Sequence, residues 1–242
     1  MKTAFLITFG LFMYLKSSSS VTLTPVPGGA NGYSQTTRYW DCCKPTCSWV
    51  ANIQNKKSPV DTCGIDGVTI IDKETQSGCG DGAGYVCNDA QPWALNDSFA
   101  FGFIAGTFEN APMNMCCECL LLKFQPGGWG QDLTGKQMVV QIINTGDTSS
   151  TTGQVNEFDV HIPGGGVGYF TEGCKKQWNA PETGWGDQYG GVEEESGCYD
   201  LPQQLQPGCL FRWSWMGGAS NPPVNFEQVE CPQELIAKSH CS

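Results

Sequence analysis

Short apolar stretches, some with period-two alternation of apolar and polar positions, mark candidate β-strands along this chain. Such stretches lie at 115–125 (MCCECLLLKFQ), 137–144 (QMVVQIIN), 157–162 (EFDVHI) and 209–216 (CLFRWSWM). The last alternates well, with Phe211, Trp213 and Trp215 on one predicted face. Residues 225–230 (NFEQVE) form a shorter candidate. The pattern changes at 91–106 (QPWALNDSFAFGFIAG), where a helix is predicted. Pro92 suits a first helical turn, and Trp93, Leu95, Phe99, Phe103 and Ile104 supply an inner face. Pro232 opens a second, C-terminal helix. Gly-rich stretches at 78–84, 127–130, 164–168 and 184–191 punctuate the strands. The expectation is a mainly β fold, a small barrel or sandwich with few helices.

The ends of the chain fix its expected setting. Residues 1–20 read as a signal peptide: Lys2 is the basic start, Ala4 to Leu15 the apolar core, and Ser17 to Ser20 small residues for cleavage. That core is shorter than the roughly 20 residues a membrane span needs. Residues 21–34 are Thr-, Pro- and Gly-rich and read as a flexible leader, leaving 35–242 as a single catalytic domain. Nothing later is long and apolar enough to span a bilayer, so a secreted, extracellular protein with no membrane attachment is expected. In that compartment disulfides are the default fate of Cys. The 14 Cys are even in number and run from 42 to 241. Spacing alone leaves their connectivity open.

Charge and composition remove other classes. Lys and Arg total 13 against 24 Asp and Glu, a net charge of −11 that becomes −13 if Lys2 and Lys16 leave with the signal. Such a chain lacks the electrostatic footprint of a nucleic-acid binder. Two His, at 161 and 240, are too few for a histidine metal site, and CCKPTC (42–47) and CCEC (116–119) do not have the usual zinc spacing. No metal and no cofactor are therefore expected. A GxSxG motif is absent, which speaks against a serine nucleophile.

Carboxylates remain. Asp41 lies in TTRYWDCCKPTCSW (36–49), between aromatics and a Cys cluster. It is either a rigid catalytic group or an ordinary surface acid beside a disulfide knot. Asp159 lies in NEFDVHIPGGGVG (156–168), where period two puts Glu157, Asp159 and His161 on one face. That face is either solvated or the wall of a cleft, and the Gly run behind it would let backbone approach a ligand closely. Asp147 sits in the polar loop TGDTSSTTGQV (145–155), a mobile surface loop or a lid over the site. Trp178 and Trp185 fall in loop sequence, where indole faces can stack on sugar rings, whereas Trp213 and Trp215 read as core. The sequon Asn96-Asp97-Ser98 is a glycosylation candidate within the predicted helix.

Taken together and in order, TTRYWDCC (36–43), PWALNDSFAFGFIA (92–105), CCEC, KQMVVQ (136–141), FDVHIPGGGVG (158–168) and NFEQVECPQEL (225–235) resemble glycoside hydrolase family 45, the small secreted endoglucanases, across about 34–241. No segment resembles an appended carbohydrate-binding module. The resemblance implies a six-stranded double-psi β-barrel and inverting hydrolysis of internal β-1,4-glucan bonds. It implies Asp41 as general base, Asp159 as general acid and Asp147 as an assisting acid. Tyr39, Lys44 and Ala105 match positions lining the site, and Trp40, Trp49 and Phe170 are further candidate sugar contacts. It also implies the pairs Cys42–Cys174, Cys43–Cys79, Cys47–Cys116, Cys63–Cys87, Cys117–Cys241, Cys119–Cys231 and Cys198–Cys209. A monomer acting on β-1,4-glucan is the default expectation. Xyloglucan or glucomannan as substrate, or an expansin-like binding protein without catalysis, are the alternatives.

Overall fold

A computed structural model describes residues 21–53, 58–108, 115–146 and 156–242. The strands are β1 (Asn31–Tyr39), β2 (Thr62–Cys63), β3 (Ile70–Ile71), β4 (Trp93–Ala94), β5 (Phe99–Thr107), β6 (Cys119–Phe124), β7 (Gln137–Asn144), β8 (Glu157–His161) and β9 (Pro223–Val229). The helices are α1 (Glu172–Trp178), α2 (Gln206–Ser214) and α3 (Gln233–Ser239). The main sheet runs β4-β5-β7-β6-β9-β1-β8, and β8 pairs back onto β5. That last pairing closes six strands into the expected double-psi β-barrel, with β4 attached outside; β2 and β3 form a separate hairpin. Closure removes the free edges that an open sheet would expose.

Burial on both faces follows from closure. Ala100 and Ile104 (β5), Leu120 and Leu122 (β6), Met138 and Val140 (β7), Phe158 and Val160 (β8) and Val224 and Phe226 (β9) meet in one cluster. Side chains from five strands of a ring can converge only inside it. Phe211, Trp215 and Met216 join this cluster from the α2 segment. The alternate residues, among them Phe101, Phe103, Leu121 and Val139, pack outward under loops, α3 and the disulfides.

Two predicted elements are corrected. Residues 91–106 form β4, a turn and most of β5 instead of a helix. The apolar spacing at Leu95, Phe99 and Phe103 imitates a helical face. In the barrel, however, Phe101 and Phe103 point out while Ala100 and Ile104 point in, so both faces are used. Asn96 therefore lies on an exposed turn, its Oδ1 accepting the Ser98 N–H at 2.9 Å. Conversely, most of 209–216 belongs to helix α2 instead of a strand. Pro207 sits in its first turn, and Phe211 and Trp215 stack at 5.2 Å as an i, i+4 pair. The helix ends before Gly217 and Gly218, both at positive φ.

The leader 21–34 is not free of the fold. Residues 31–34 are the first half of β1 and pair with β9, Pro25 bridges to Val229, and Val21 and Leu23 pack on the outer core. The C-terminal helix follows Pro232 as expected. All seven disulfides are those the family resemblance implies. No helix among the described residues is long and apolar enough to cross a membrane.

Candidate active site

The parallel pairing of β1 with β8 builds the site. Its register sets Thr37 opposite Asp159 and Tyr39 opposite His161. The Thr37 hydroxyl donates to Asp159 Oδ1. On its other side β8 pairs with β5, so Ala105 flanks Asp159 from β5. Asp159 is thus held between two strands, half-buried near the barrel rim. Burial raises its pKa above the ordinary carboxylate value, and the Thr37 hydrogen bond opposes part of that rise.

Asp41 follows β1 by two residues and is 7% exposed. Its Oδ1 accepts the Cys43 N–H at 2.9 Å. Between them Cys42 has φ of 64°, a left-handed conformation rare for a side chain other than Gly, and it is pinned by its bridge to Cys174. A second bridge, Cys43–Cys79, closes the other flank. Gly173 of α1 packs so closely on the Asp41 carbonyl and the Cys79 sulfur that a β-carbon would collide with both. In this enclosure desolvation pushes Asp41 up to about 6.

Tyr39 joins the two acids. Burial, and the charges of both Asp41 and Asp159, push its phenol well above its usual value. On β1 Tyr39 stands two residues past Thr37, the partner of Asp159, and two before Asp41, so this stretch of chain strings the three together. Asn144, at the end of β7, donates its Nδ2 to the Tyr39 hydroxyl at 3.1 Å and accepts the Thr46 N–H at 2.9 Å. Glu157 is raised first by burial and then by the Asp159 charge. Asp147 lies outside the described residues. Gly146, just before it, stands against Asp159, where a β-carbon would be 3.5 Å from Oδ2.

Other candidates are placed differently. Trp40 is 1% exposed and stacks on the His161 ring at 4.1 Å, so it backs the site and cannot touch a substrate. His161 is itself buried, its Nδ1 donating to the Ala90 carbonyl at 2.5 Å, and desolvation lowers its pKa to about 4. The face of Glu157, Asp159 and His161 is therefore neither wholly solvated nor wholly cleft: it runs from the rim inward beneath Trp40. The Lys44 ammonium donates to the carbonyls of Lys73 and Thr75 and lies 3.2 Å from the centroid of the Trp49 ring. Its observed contacts brace the 73–75 segment. Trp49 is half-buried beneath it, whereas Phe170 is exposed and meets Tyr169 edge-on at 5.3 Å. The Gly run after β8 does allow close approach, but to protein: Gly165 lies against the Tyr39 backbone. Among the described residues no group of His, Cys, Asp and Glu is arranged to hold a metal ion.

Thr37 and Asn144 were missed from the sequence. Thr37 lies inside the TTRYWD motif, but its partner is known only from the β1–β8 register. Asn144 ends a strand whose interest otherwise lay in its apolar positions.

The sequence pattern of glycosyl hydrolase family 45 matches residues 33–242. The chain belongs to that family. A relative from Phaedon cochleariae named "Endoglucanase" is 48% identical over 241 residues, spanning 98% of this chain and 96% of the relative. An "Endoglucanase" from Cryptopygus antarcticus is 45% identical over 226 residues, spanning 91% and 96%. The crystal structure of a cellulase from that springtail superposes with a TM-score of 0.80 at 44% identity, covering 88% of this chain and 97% of that one. The family 45 chain is thus a glycoside hydrolase with two enclosed carboxylates at one rim of its barrel.

Proposed function

We propose that this protein is a secreted, inverting endo-β-1,4-glucanase that cleaves internal bonds of cellulose-type glucan. The observation that carries the reading is the pair Asp41 and Asp159, both raised by burial and both felt by Tyr39. Inversion needs a protonated acid on the leaving-group side and an ionised base on the opposite face of the sugar. In inverting enzymes the two carboxyls stand about 6.5–9.5 Å apart, which leaves room for a water.

Asp159 is the acid. It gives its proton to the glycosidic oxygen as the bond from that oxygen to the anomeric carbon breaks. Asp41 is the base: it takes a proton from the water whose oxygen forms the new bond to that carbon. Burial suits Asp159 to keep its proton. Asp147, one residue beyond Gly146, is assigned the assisting part that the family resemblance implies. Above about pH 6 Asp41 is ionised and able to act as base. Secretion fits the seven disulfides, and the endoglucanase names of the Phaedon and Cryptopygus relatives support the glucan substrate.

The test is the anomeric configuration of the first product. Proton NMR of cello-oligosaccharide hydrolysis should show the α-anomer rising first, with the β-anomer appearing later by mutarotation. Initial release of the β-anomer would show retention and overturn the assignment of Asp41 as base.

A further inference from the structure

A cavity of about 660 Å³ opens where α1 ends, a size typical of small-molecule sites. Its walls include Trp178, Asn179, Pro181, Thr183, Trp185 and Asp200. None of these contacts Asp41, Asp159 or Tyr39 in the interactions described above. Both indoles pack partly on the outer core yet stay half-exposed. Asn179, Thr183 and Asp200 are exposed at the rim and supply an amide, a hydroxyl and a carboxylate. Flat apolar faces beside a few hydrogen-bonding groups match the two sides of a pyranose ring, whose C–H face is apolar and whose hydroxyls radiate outward.

The surroundings narrow the ligand. Elsewhere the exposed apolar residues include aliphatics, as at Ile65, Val68 and Ile70. Here they are aromatic: Tyr189 and Tyr199 are 78% and 61% exposed on the two flanking segments. The segments also carry Glu182, Asp187, Glu193, Glu194 and Glu195, all exposed. That charge repels an acidic polysaccharide and leaves a neutral one unopposed.

Position links the cavity to the cleft. Helix α1 begins against Asp41, through Gly173, and carries Trp178 at its far end, about 8 Å further along the axis. The loop bearing Trp185 runs beside the Gly run after β8. Gly168 N–H donates to the Gln188 carbonyl at 2.9 Å, and Gln188 Nε2 donates back to the Gly168 carbonyl at 2.8 Å. A glucan chain that leaves the cleft along this wall would meet the cavity.

We infer that the Trp178–Trp185–Asp200 cavity is an accessory binding site for a neutral β-glucan chain, separate from the catalytic pair. It holds a distant part of a polymer already engaged in the cleft. The inference rests on the glucanase reading for its substrate class.

The test uses the full chain and phosphoric-acid-swollen cellulose. In an Asp41→Asn background, Trp185→Ala and Asp200→Ala should each weaken adsorption about threefold to tenfold, the range expected for losing one ring or hydrogen-bond contact. In the active protein the same substitutions should slow hydrolysis of the swollen polymer, yet leave kcat/KM on cellotetraose within about twofold. Unchanged adsorption in both variants would overturn the site. So would an equal fall on cellotetraose, which would mean that the residues act through the cleft. If Trp185→Ala lowers the melting temperature, Asp200→Ala decides, since Asp200 is exposed. A parent protein that adsorbs through these residues but never cleaves glucan would sink the glucanase reading and leave the binding site standing.

Discussion

Asp41 and Asp66 have the same local geometry and opposite chemistry. Each carboxylate accepts a backbone N–H from two residues ahead, Cys43 at 2.9 Å and Val68 at 3.0 Å. Asp66 also accepts from the Thr69 N–H and hydroxyl, and its pKa falls to about 2. Asp41 rises to about 6. Hydrogen bonds favour the ionised form in both. The difference is water: Asp66 keeps it, while two disulfides, Gly173 and the barrel rim take it from Asp41. An Asp-initiated turn is therefore common property, and its enclosure makes one of them fit for acid–base work.

The largest test of this contrast replaces each site acid. Asp159→Asn and Asp41→Asn should each lower kcat on carboxymethylcellulose by about 10²–10⁴-fold, the usual worth of a positioned acid or base. Near-wild-type turnover in either variant would break the assignment. The two should part company from ordinary acids in stability as well. Asp41 is held at about 6 in the fold against 3.8 when unperturbed. The folded state thus binds its proton more tightly than the unfolded chain does. Stability from this group is lost as pH rises through that window, and the cost of about 3 kcal/mol is complete above pH 6. Asp41→Asn should therefore melt several degrees higher than the parent at pH 7, at roughly 2–4 °C per kcal/mol for a chain of this size. The advantage should vanish below pH 4. A calorimetric series across pH 3.5–7 reads both signs.

A smaller effect separates the two acids from each other. One limb of the kcat/KM profile should lie near pH 6, where Asp41 titrates. Thr37→Val removes a hydrogen bond to the ionised form of Asp159, so the limb that Asp159 sets should move to higher pH while the limb that Asp41 sets stays. Movement of both limbs together would assign Thr37 to the site as a whole. Smallest of all, Asp66→Ala should lower the melting temperature modestly and leave the pH profile unchanged, because nothing around Asp66 feels the cleft.

Much of this was legible from the residues. Period two marked β8, where Phe158 and Val160 alternate with Glu157 and Asp159, and a short apolar run marked β7. The order of motifs around Asp41 and Asp159 marked the family and, through it, every disulfide. Local pattern failed where two periods overlap. Phe99 and Phe103 are spaced for a helix, but they lie on a strand whose opposite face, with Ala100 and Ile104, is buried too. Phe211, Trp213 and Trp215 alternate like a strand, but Pro207 and the 211–215 stack make a helix. In both segments long-range packing overrode the nearest-neighbour signal. Trp40 failed for a related reason: an aromatic beside an acid looks like a sugar contact until His161, far along the chain, is found stacked upon it.

The sequence by itself determined the strand period of β8, the turn that folds each Asp back on its own backbone, and the motifs that mark the family. Those depend on neighbours a few residues apart. Only the tertiary structure decided which Asp loses its water, which face of β5 points inward, and that Thr37 meets Asp159. Each needs the barrel to close, because desolvation and strand register are set by atoms more than a hundred residues away along the chain.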